Sequence, residues 1–408
     1  MFDPIQVRQD FPMLRQGKTM QGHPLVYLDN ASTTFKPDCV IEAMNRYYMD
    51  ETSNSHRGDY DLCYNADRRI ESARHAVAEF LGAEDKEIVF TAGTTESINL
   101  VAYGYGLKFL KPGDEILLSV AEHASNMMPW FRIAELTGAR IAYIPLEDGK
   151  ITVEGLRKSL NEKTKIVAIA YVGNVLGYVA PVKEMAKIIH ESGALFLVDG
   201  AQAVPHLAID AKDLDCDFLA FSGHKMCGPT GIGVLYGKYE NLCKMDPFLT
   251  GGGMNVKFSK DATSVCLPPP MKYEAGTLNI AGIYGLEAAV KYLTSIGMDN
   301  IRAHEESLKR YAIEELKKTN MVTIYNEDAP SGIVTFNIHG VFAQDAATLL
   351  NSKGIACRSG QHCAKVLPEE LGTVATVRAS FYLYTTKGEI DALVEAVKKG
   401  GDFLDAYF

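Results

Sequence analysis

The chain has 408 residues, 47% of them hydrophobic, enough apolar material for a large core in one or two domains. A formal net charge of -10 argues against a nucleic-acid partner, which calls for a basic face. Residues 1–10 lack a basic stretch followed by an apolar one, and the most apolar run, 166–182, is broken by Gly173, Asn174, Gly177 and Pro181, so the expectation is a cytoplasmic protein with no signal peptide and no membrane contact.

In chain order, segment 1–25 precedes the regular alternation and is expected to pack with a smaller C-terminal domain. Over 65–81, Ile70, Ala73, Val77 and Phe80 recur at helical spacing, and 87–91 follows as a strand. Gly93-Thr94-Thr95-Glu96 then opens a helix to about Val101. Strand-like runs recur at 115–119, 140–145, 165–172, 194–199 and 218–221, several separated by helical segments such as 182–191. Strands alternating with helices predict an α/β fold, a mostly parallel sheet covered on both faces. Gly251-Gly252-Gly253 and Pro268-Pro269-Pro270 mark loops, followed by helices over 280–293 and 300–318. The remainder reads as a strand at 333–338, a helix at 344–353, strands at 355–358 and 376–383, and a helix over 387–403. The division is a segment 1–25, a large domain 26–285 and a small C-terminal domain 286–408.

Two strand ends carry the chemistry. Leu195-Phe196-Leu197-Val198 ends at Asp199, and Phe218-Leu219-Ala220-Phe221 runs into Ser222-Gly223-His224-Lys225. Ligands of open α/β sheets bind beyond the carboxyl ends of strands, so both residues can face one site. A lysine amine for a Schiff base and a carboxylate for a pyridinium nitrogen suit pyridoxal phosphate. Taken alone, Lys225 reads as a surface lysine and Asp199 as a turn cap. Gln202 lies within reach of the same ligand, and Ser222 and His224 can donate towards a phosphate. Thr94 and Thr95, at a helix N-terminus after a strand, can form an anion site, though an ordinary capping box with Glu96 is equally compatible. His123 follows the strand ending at Ser119, where it can stack on a cofactor ring or stand as a satisfied loop histidine.

The eight cysteines show no C-x-x-C pair and no structural-zinc spacing, so neither a metal site nor a disulfide framework is expected, and most read as small core residues. Cys363 differs. It lies in Arg358-Ser359-Gly360-Gln361-His362-Cys363-Ala364, where nearby positive charge favours a nucleophilic thiolate over a buried inert thiol. Arg378 begins a later strand; its fork suits a substrate α-carboxylate or a structural salt bridge.

Together these motifs resemble the class V aminotransferases of fold type I, and within them the cysteine desulfurases of the SufS/CsdA type. The resemblance runs through Tyr27-Leu28-Asp29-Asn30-Ala31, Asn54-Ser55-His56-Arg57-Gly58, Gly93-Thr94-Thr95-Glu96, Glu122-His123 and Asn174-Val175-Leu176-Gly177. It continues through Val198 to Ala203, Ser222 to Lys225, Glu274 to Asn279, Arg358 to Ala364 and Val377 to Ser380. It implies a seven-stranded, mostly parallel large-domain sheet and a homodimer using pyridoxal 5'-phosphate to convert L-cysteine to L-alanine. A Cys363 persulfide would pass sulfur to a SufE-like or SufU-like acceptor for iron–sulfur cluster assembly. By the same resemblance Lys225 carries the cofactor, Asp199 meets its ring nitrogen, Gln202 its phenolic oxygen, and His123 stacks on the ring. Thr94, Thr95, Ser222 and His224 hold the phosphate, joined by Thr277 from the second subunit. Asn174 and Arg378, with Arg358 near the nucleophile, serve the substrate. A selenocysteine lyase or another lyase of this fold is the alternative; a non-catalytic sulfur-transfer scaffold has no need of an intact electron sink. Two departures from the family stand out: Lys365-Val366-Leu367 precedes Pro368, and Cys227 takes a place that is often aromatic.

Overall fold

The computed structural model describes residues 2–55 and 58–400. His56 and Arg57 of the second motif, and the end of the helix expected over 387–403, lie outside the described residues.

Seven strands form the central sheet: β1 (Ile88–Thr91), β2 (Glu115–Ser119), β3 (Arg140–Ile144), β4 (Thr164–Ala170), β5 (Leu195–Asp199), β6 (Phe218–Ser222) and β7 (Gly233–Gly237). Their order is β1-β7-β6-β5-β4-β2-β3. All run in one direction except β7, which is antiparallel to both neighbours, as in the mostly parallel sheet expected. Six of these strands follow the apolar runs of the sequence. The seventh, Gly-Val-Leu-Tyr-Gly, is short and bounded by glycines, and it offers no period to detect.

Strands buried on both faces explain those runs. Along β4, Val167 and Ile169 enter one core and Ile166 and Ala168 the other; Phe196 and Val198 alternate likewise with Leu195 and Leu197 along β5. Removing one such ring, as in Phe196→Ala, costs about 3–5 kcal/mol.

A second sheet comprises β8 (Val322–Ile324), β9 (Ile333–Ile338), β10 (Arg358–Gly360) and β11 (Thr376–Ser380), in the order β8-β9-β11-β10. The run expected as one strand over 355–358 is divided. Ile355–Ala356 pairs in parallel with Val26–Tyr27, while Arg358–Gly360 pairs with β11. Arg358, the first residue past the division, donates from Nη1 to Ser32 Oγ at 3.1 Å. The helix Ile280–Ile296 runs unbroken through position 285. The N-terminal segment is tied down by Arg8, which donates to Tyr384 O and to Glu389 Oε2 at 2.8 and 2.9 Å.

All eight cysteines are free. Only Cys63, Cys216 and Cys227 are buried, while Cys39 and Cys243 are exposed, so the core accounts for fewer thiols than the sequence suggested. Among the described residues no group of three or more His, Cys, Asp or Glu side chains is placed to hold a metal ion, and no helix is long and apolar enough to cross a membrane.

Candidate active site

The carboxyl ends of β1, β2, β4, β5 and β6 converge on one cavity, which the second sheet closes through Arg358, His362 and Arg378. Thr94, Thr95, His123, Asn174, Asp199, Gln202, Ser222, His224, Lys225, Arg358 and Arg378 all line it. Residues spread over nearly 300 positions are brought together here by the strand-end rule and the docking of the small sheet.

Asp199 is buried at the end of β5, and Oδ1 accepts from the Ala201 N–H at 2.9 Å. Burial raises its carboxyl above the ordinary value, against the opposing influence of that N–H and of Lys225. Lys225 follows β6 in a short turn. Withdrawal from water lowers its amine to about 8; Asp199 resists this, and Arg378 and Arg358 reinforce it. Burial, then Lys225, Arg358 and Arg378, lower His123 to about 4. His123 Nδ1 accepts from the Ser125 N–H at 3.1 Å, which leaves Nε2 as the protonated nitrogen of a neutral ring. His224 is lowered to about 4 by burial and by Lys225 and Lys36.

Glu122, beneath His123, is fully buried and raised to about 7 by that burial; it accepts from Asn126 Nδ2 at 2.8 Å. Asn126 Oδ1 in turn accepts from Trp130 Nε1 at 3.0 Å, so the residues flanking His123 are tied to the helix Met128–Thr137.

At the phosphate end, Ser222 Oγ lies 2.8 Å from the Thr94 N–H and 2.7 Å from Thr94 Oγ1, and Thr95 Oγ1 lies 2.8 Å from Ser125 Oγ. Glu96 accepts from the Ala92 N–H, one residue before the cap of the helix Thr94–Val101, instead of closing a capping box on Gly93. Gly93 has φ +153°, and a Cβ there would meet Ser222 Oγ at 3.1 Å, so only glycine keeps this cradle open.

Arg378 is buried. Its Nη1 donates to Asn174 O at 2.7 Å, its Nη2 to Ser32 Oγ at 2.8 Å and Asp29 Oδ1 at 3.2 Å, and its Nε has no partner. Cys363 is reached from this wall: Arg358 Nη2 lies 3.6 Å from Sγ. The cysteine loop is tightly wound, with φ +51° at His362 and +60° at Cys363, and the Ala124 N–H donates to Cys363 O at 2.7 Å. Such left-handed backbone at non-glycine residues is costly and holds only because the surroundings impose it.

Thr277 is not on this cavity. It lies with Asn54, Ser55, Gly252, Gly253 and Gly276 around a separate one, and its hydroxyl is 3.3 Å from Asn54 Oδ1.

Several residues of the cavity went unread in the sequence, His362 and Ser32 chief among them. His362 was noted only as positive charge beside the cysteine. It is buried, its Nε2 faces Thr376 Oγ1 at 2.9 Å, and burial with Arg378 and Arg358 lowers it to about 3, so it is neutral. Ser32 joins both arginines and donates to Asp29 Oδ1 at 2.7 Å. Its arginine partners lie more than 320 positions away, and no local pattern marks it.

The residues present fit pyridoxal 5'-phosphate. A buried acid and a lysine amine face one space, neutral imidazole and hydroxyl donors surround it, and Gln202 Oε1 is buried on its wall without a partner while Nε2 donates to Ala31 O at 2.6 Å.

The model of the class-V aminotransferases matches residues 26–393. A protein of Halalkalibacterium halodurans named a probable cysteine desulfurase is 48% identical over 405 residues, 99% of each chain. Among solved structures, the cysteine desulfurase CsdA of Escherichia coli aligns with a TM-score of 0.89 at 40% identity, over 98% of this chain and 99% of that one. The apo cysteine desulfurase of Thermococcus onnurineus NA1 aligns with a TM-score of 0.92 at 38% identity, over 98% of each chain.

Proposed function

Because the chain belongs to the class-V aminotransferase family, we propose that it is a pyridoxal-phosphate-dependent cysteine desulfurase, converting L-cysteine to L-alanine and retaining the sulfur on Cys363. One observation carries the reading: Asp199 and Lys225 face a single cavity, and Arg358 on its wall reaches the Cys363 thiol.

Bound pyridoxal 5'-phosphate supplies an electron sink for charge developing at the substrate Cα. Thr94, Thr95, Ser222 and His224 would hold its phosphate, Asp199 would keep a proton at its ring nitrogen, Gln202 would serve its phenolic oxygen, and neutral His123 would lie against the ring. Arg378, with an unused Nε–H, and Asn174 orient the substrate carboxylate. Lys225 would anchor the cofactor, and its Nζ accepts the Cα proton and returns a proton to Cα before alanine leaves; an amine lowered to about 8 is sufficiently deprotonated for that task.

The Cys363 thiolate attacks the substrate sulfur. An S–S bond forms, the Cβ–S bond breaks with its electron pair left on Cβ, and proton uptake there completes the methyl group of alanine. L-cysteine and a thiol thus become L-alanine and a persulfide, with no external oxidant or reductant. Arg358 steadies the thiolate before attack.

The working form is a cytoplasmic homodimer in which Thr277 serves the neighbouring subunit's phosphate, the large domain 26–285 carrying the cofactor and 286–408 the cysteine loop. The persulfide sulfur passes to a SufE-like or SufU-like acceptor for iron–sulfur cluster assembly. Mass spectrometry after treatment with L-cysteine tests the reading. An added sulfur atom on Cys363 is expected; alanine formation with Cys363 unmodified, and unaffected by Cys363→Ala, overturns it.

A further inference from the structure

The turn Asn174-Val175-Leu176 is held from the small sheet at three successive carbonyls. Asn174 O accepts from Arg378 Nη1 at 2.7 Å, Val175 O from Thr335 Oγ1, and Leu176 O from Asn326 Nδ2 at 2.7 Å. Three consecutive backbone acceptors satisfied by side chains from β9, β11 and the loop between β8 and β9 fix the turn in position as well as in shape. Thr335 and Asn326 are fully buried and linked to each other, the Thr335 N–H donating to Asn326 Oδ1 at 3.0 Å. Asn326 is itself anchored, its carbonyl accepting from the buried Lys309 Nζ at 2.8 Å. Gly177 closes the turn at φ +69°, and a Cβ there would meet Ser331 Oγ at 2.0 Å, which shows how closely the turn is pressed on the small sheet.

The opposite side of the turn grips the cysteine segment. Asn174 Nδ2 donates to His362 O at 2.8 Å, directly before Cys363. Val175 and Leu176 form an apolar cluster with Ala364 and Leu367, directly after it. The left-handed pair His362–Cys363 is therefore clamped on both sides by one turn, and the strain of that backbone needs such a clamp.

We propose that Thr335 and Asn326 are positioning residues for sulfur transfer: through the carbonyls of Val175 and Leu176 they hold the turn that seats Cys363 at the substrate sulfur. This rests on the reading of Cys363 as the sulfur acceptor. Neither residue touches the cavity, and their effect falls on the Cys363 step more than on proton removal from the substrate, which Lys225 and the cofactor perform.

Thr335→Val removes the hydroxyl at nearly constant volume, and Thr335→Ser returns it. In the holoenzyme two rates are measured: Cys363 persulfide formation in a single turnover at saturating L-cysteine, by mass spectrometry, and exchange of the L-alanine Cα hydrogen with deuterated solvent at saturating L-alanine, by NMR. Thr335→Val is expected to slow the first by about tenfold or more, the scale of one buried carbonyl left without its donor, and to leave the second within about twofold. Thr335→Ser restores both. Equal losses in the two rates, an unchanged persulfide rate, or failure of serine to rescue overturns the proposal. Should Thr335→Val give no folded holoenzyme, Asn326→Asp carries the same test, since it keeps the acceptor for the Thr335 N–H and loses the donor to Leu176 O; it also loses the bond to Ile333 O at 2.8 Å, whose carbonyl still accepts from Lys309 Nζ. A wild-type enzyme that forms no persulfide on Cys363 refutes the underlying function instead.

Discussion

Arg358 stands between Ser32 and Cys363, with Nη1 donating to Ser32 Oγ at 3.1 Å and Nη2 lying 3.6 Å from Cys363 Sγ. A planar fork that is tethered at one prong holds the other over the sulfur, so the charge is in place before the thiolate forms. Arg358→Gln should slow persulfide formation on Cys363 by about ten- to a hundredfold, the worth of a hydrogen bond to a charged group. Arg358→Lys should not restore it, because one point charge cannot serve both contacts. Single-turnover mass spectrometry decides, and an undiminished rate in Arg358→Gln removes the residue from this role.

The Lys225 amine should set the pH dependence of cofactor capture by cofactor-free protein. Only the neutral amine adds to an aldehyde, so with the group lowered to about 8 the rate should climb as pH rises towards 8 and level off above it. Asp199 holds the amine up, so Asp199→Asn should move the midpoint to lower pH. Growth of the bound-cofactor absorbance across pH 6 to 10 measures both. A midpoint near the ordinary lysine value contradicts the burial that lowers it.

Thr277 is a direct test of the dimer. Its own chain places it on a separate cavity. If it serves the neighbouring subunit, Thr277→Ala should weaken cofactor retention about ten- to a hundredfold without changing dimer mass. Mixing with Lys225→Ala chains should then produce hybrid dimers with one competent site. Equilibrium dialysis and light scattering supply the readouts; a monomer with full cofactor affinity ends the idea.

Arg74 anchors the segment that leads to Thr277. Its Nη1 and Nη2 meet Glu274 Oε1 and Oε2 at 2.8 and 2.9 Å, both side chains are buried, and the Phe90 N–H also donates to Glu274 Oε1 at 2.9 Å. Arg74→Met strands a buried carboxylate and should cost about 3–5 kcal/mol, whereas adding Glu274→Leu should recover part of that loss. Urea unfolding of the two variants checks the sign, and a double variant less stable than Arg74→Met contradicts it.

Much of the cofactor end of the site could be read in the chain itself. Thr94, His123, Asp199 and Ser222 to Lys225 each follow an apolar run by a few residues. A parallel sheet buried on both faces both writes those runs into the sequence and gathers their carboxyl ends at one edge. The seventh strand escaped because Gly233–Gly237 is too short to carry a period, and the break after Ala356 escaped because pairing with Val26–Tyr27 competes with pairing to β11.

The long-range contacts that tie the substrate wall together and support the elements behind it were a matter for tertiary structure. Ser32 with Arg358 and Arg378, Arg74 with Glu274, and Thr335 and Asn326 with the carbonyls of Val175 and Leu176 are contacts made across 150 to 346 positions. Local sequence encodes the period of a strand or helix, because neighbouring side chains share that geometry. It holds no record of which distant hydroxyl will meet which carbonyl, since that is decided only when the two sheets dock and every buried polar group must find a partner.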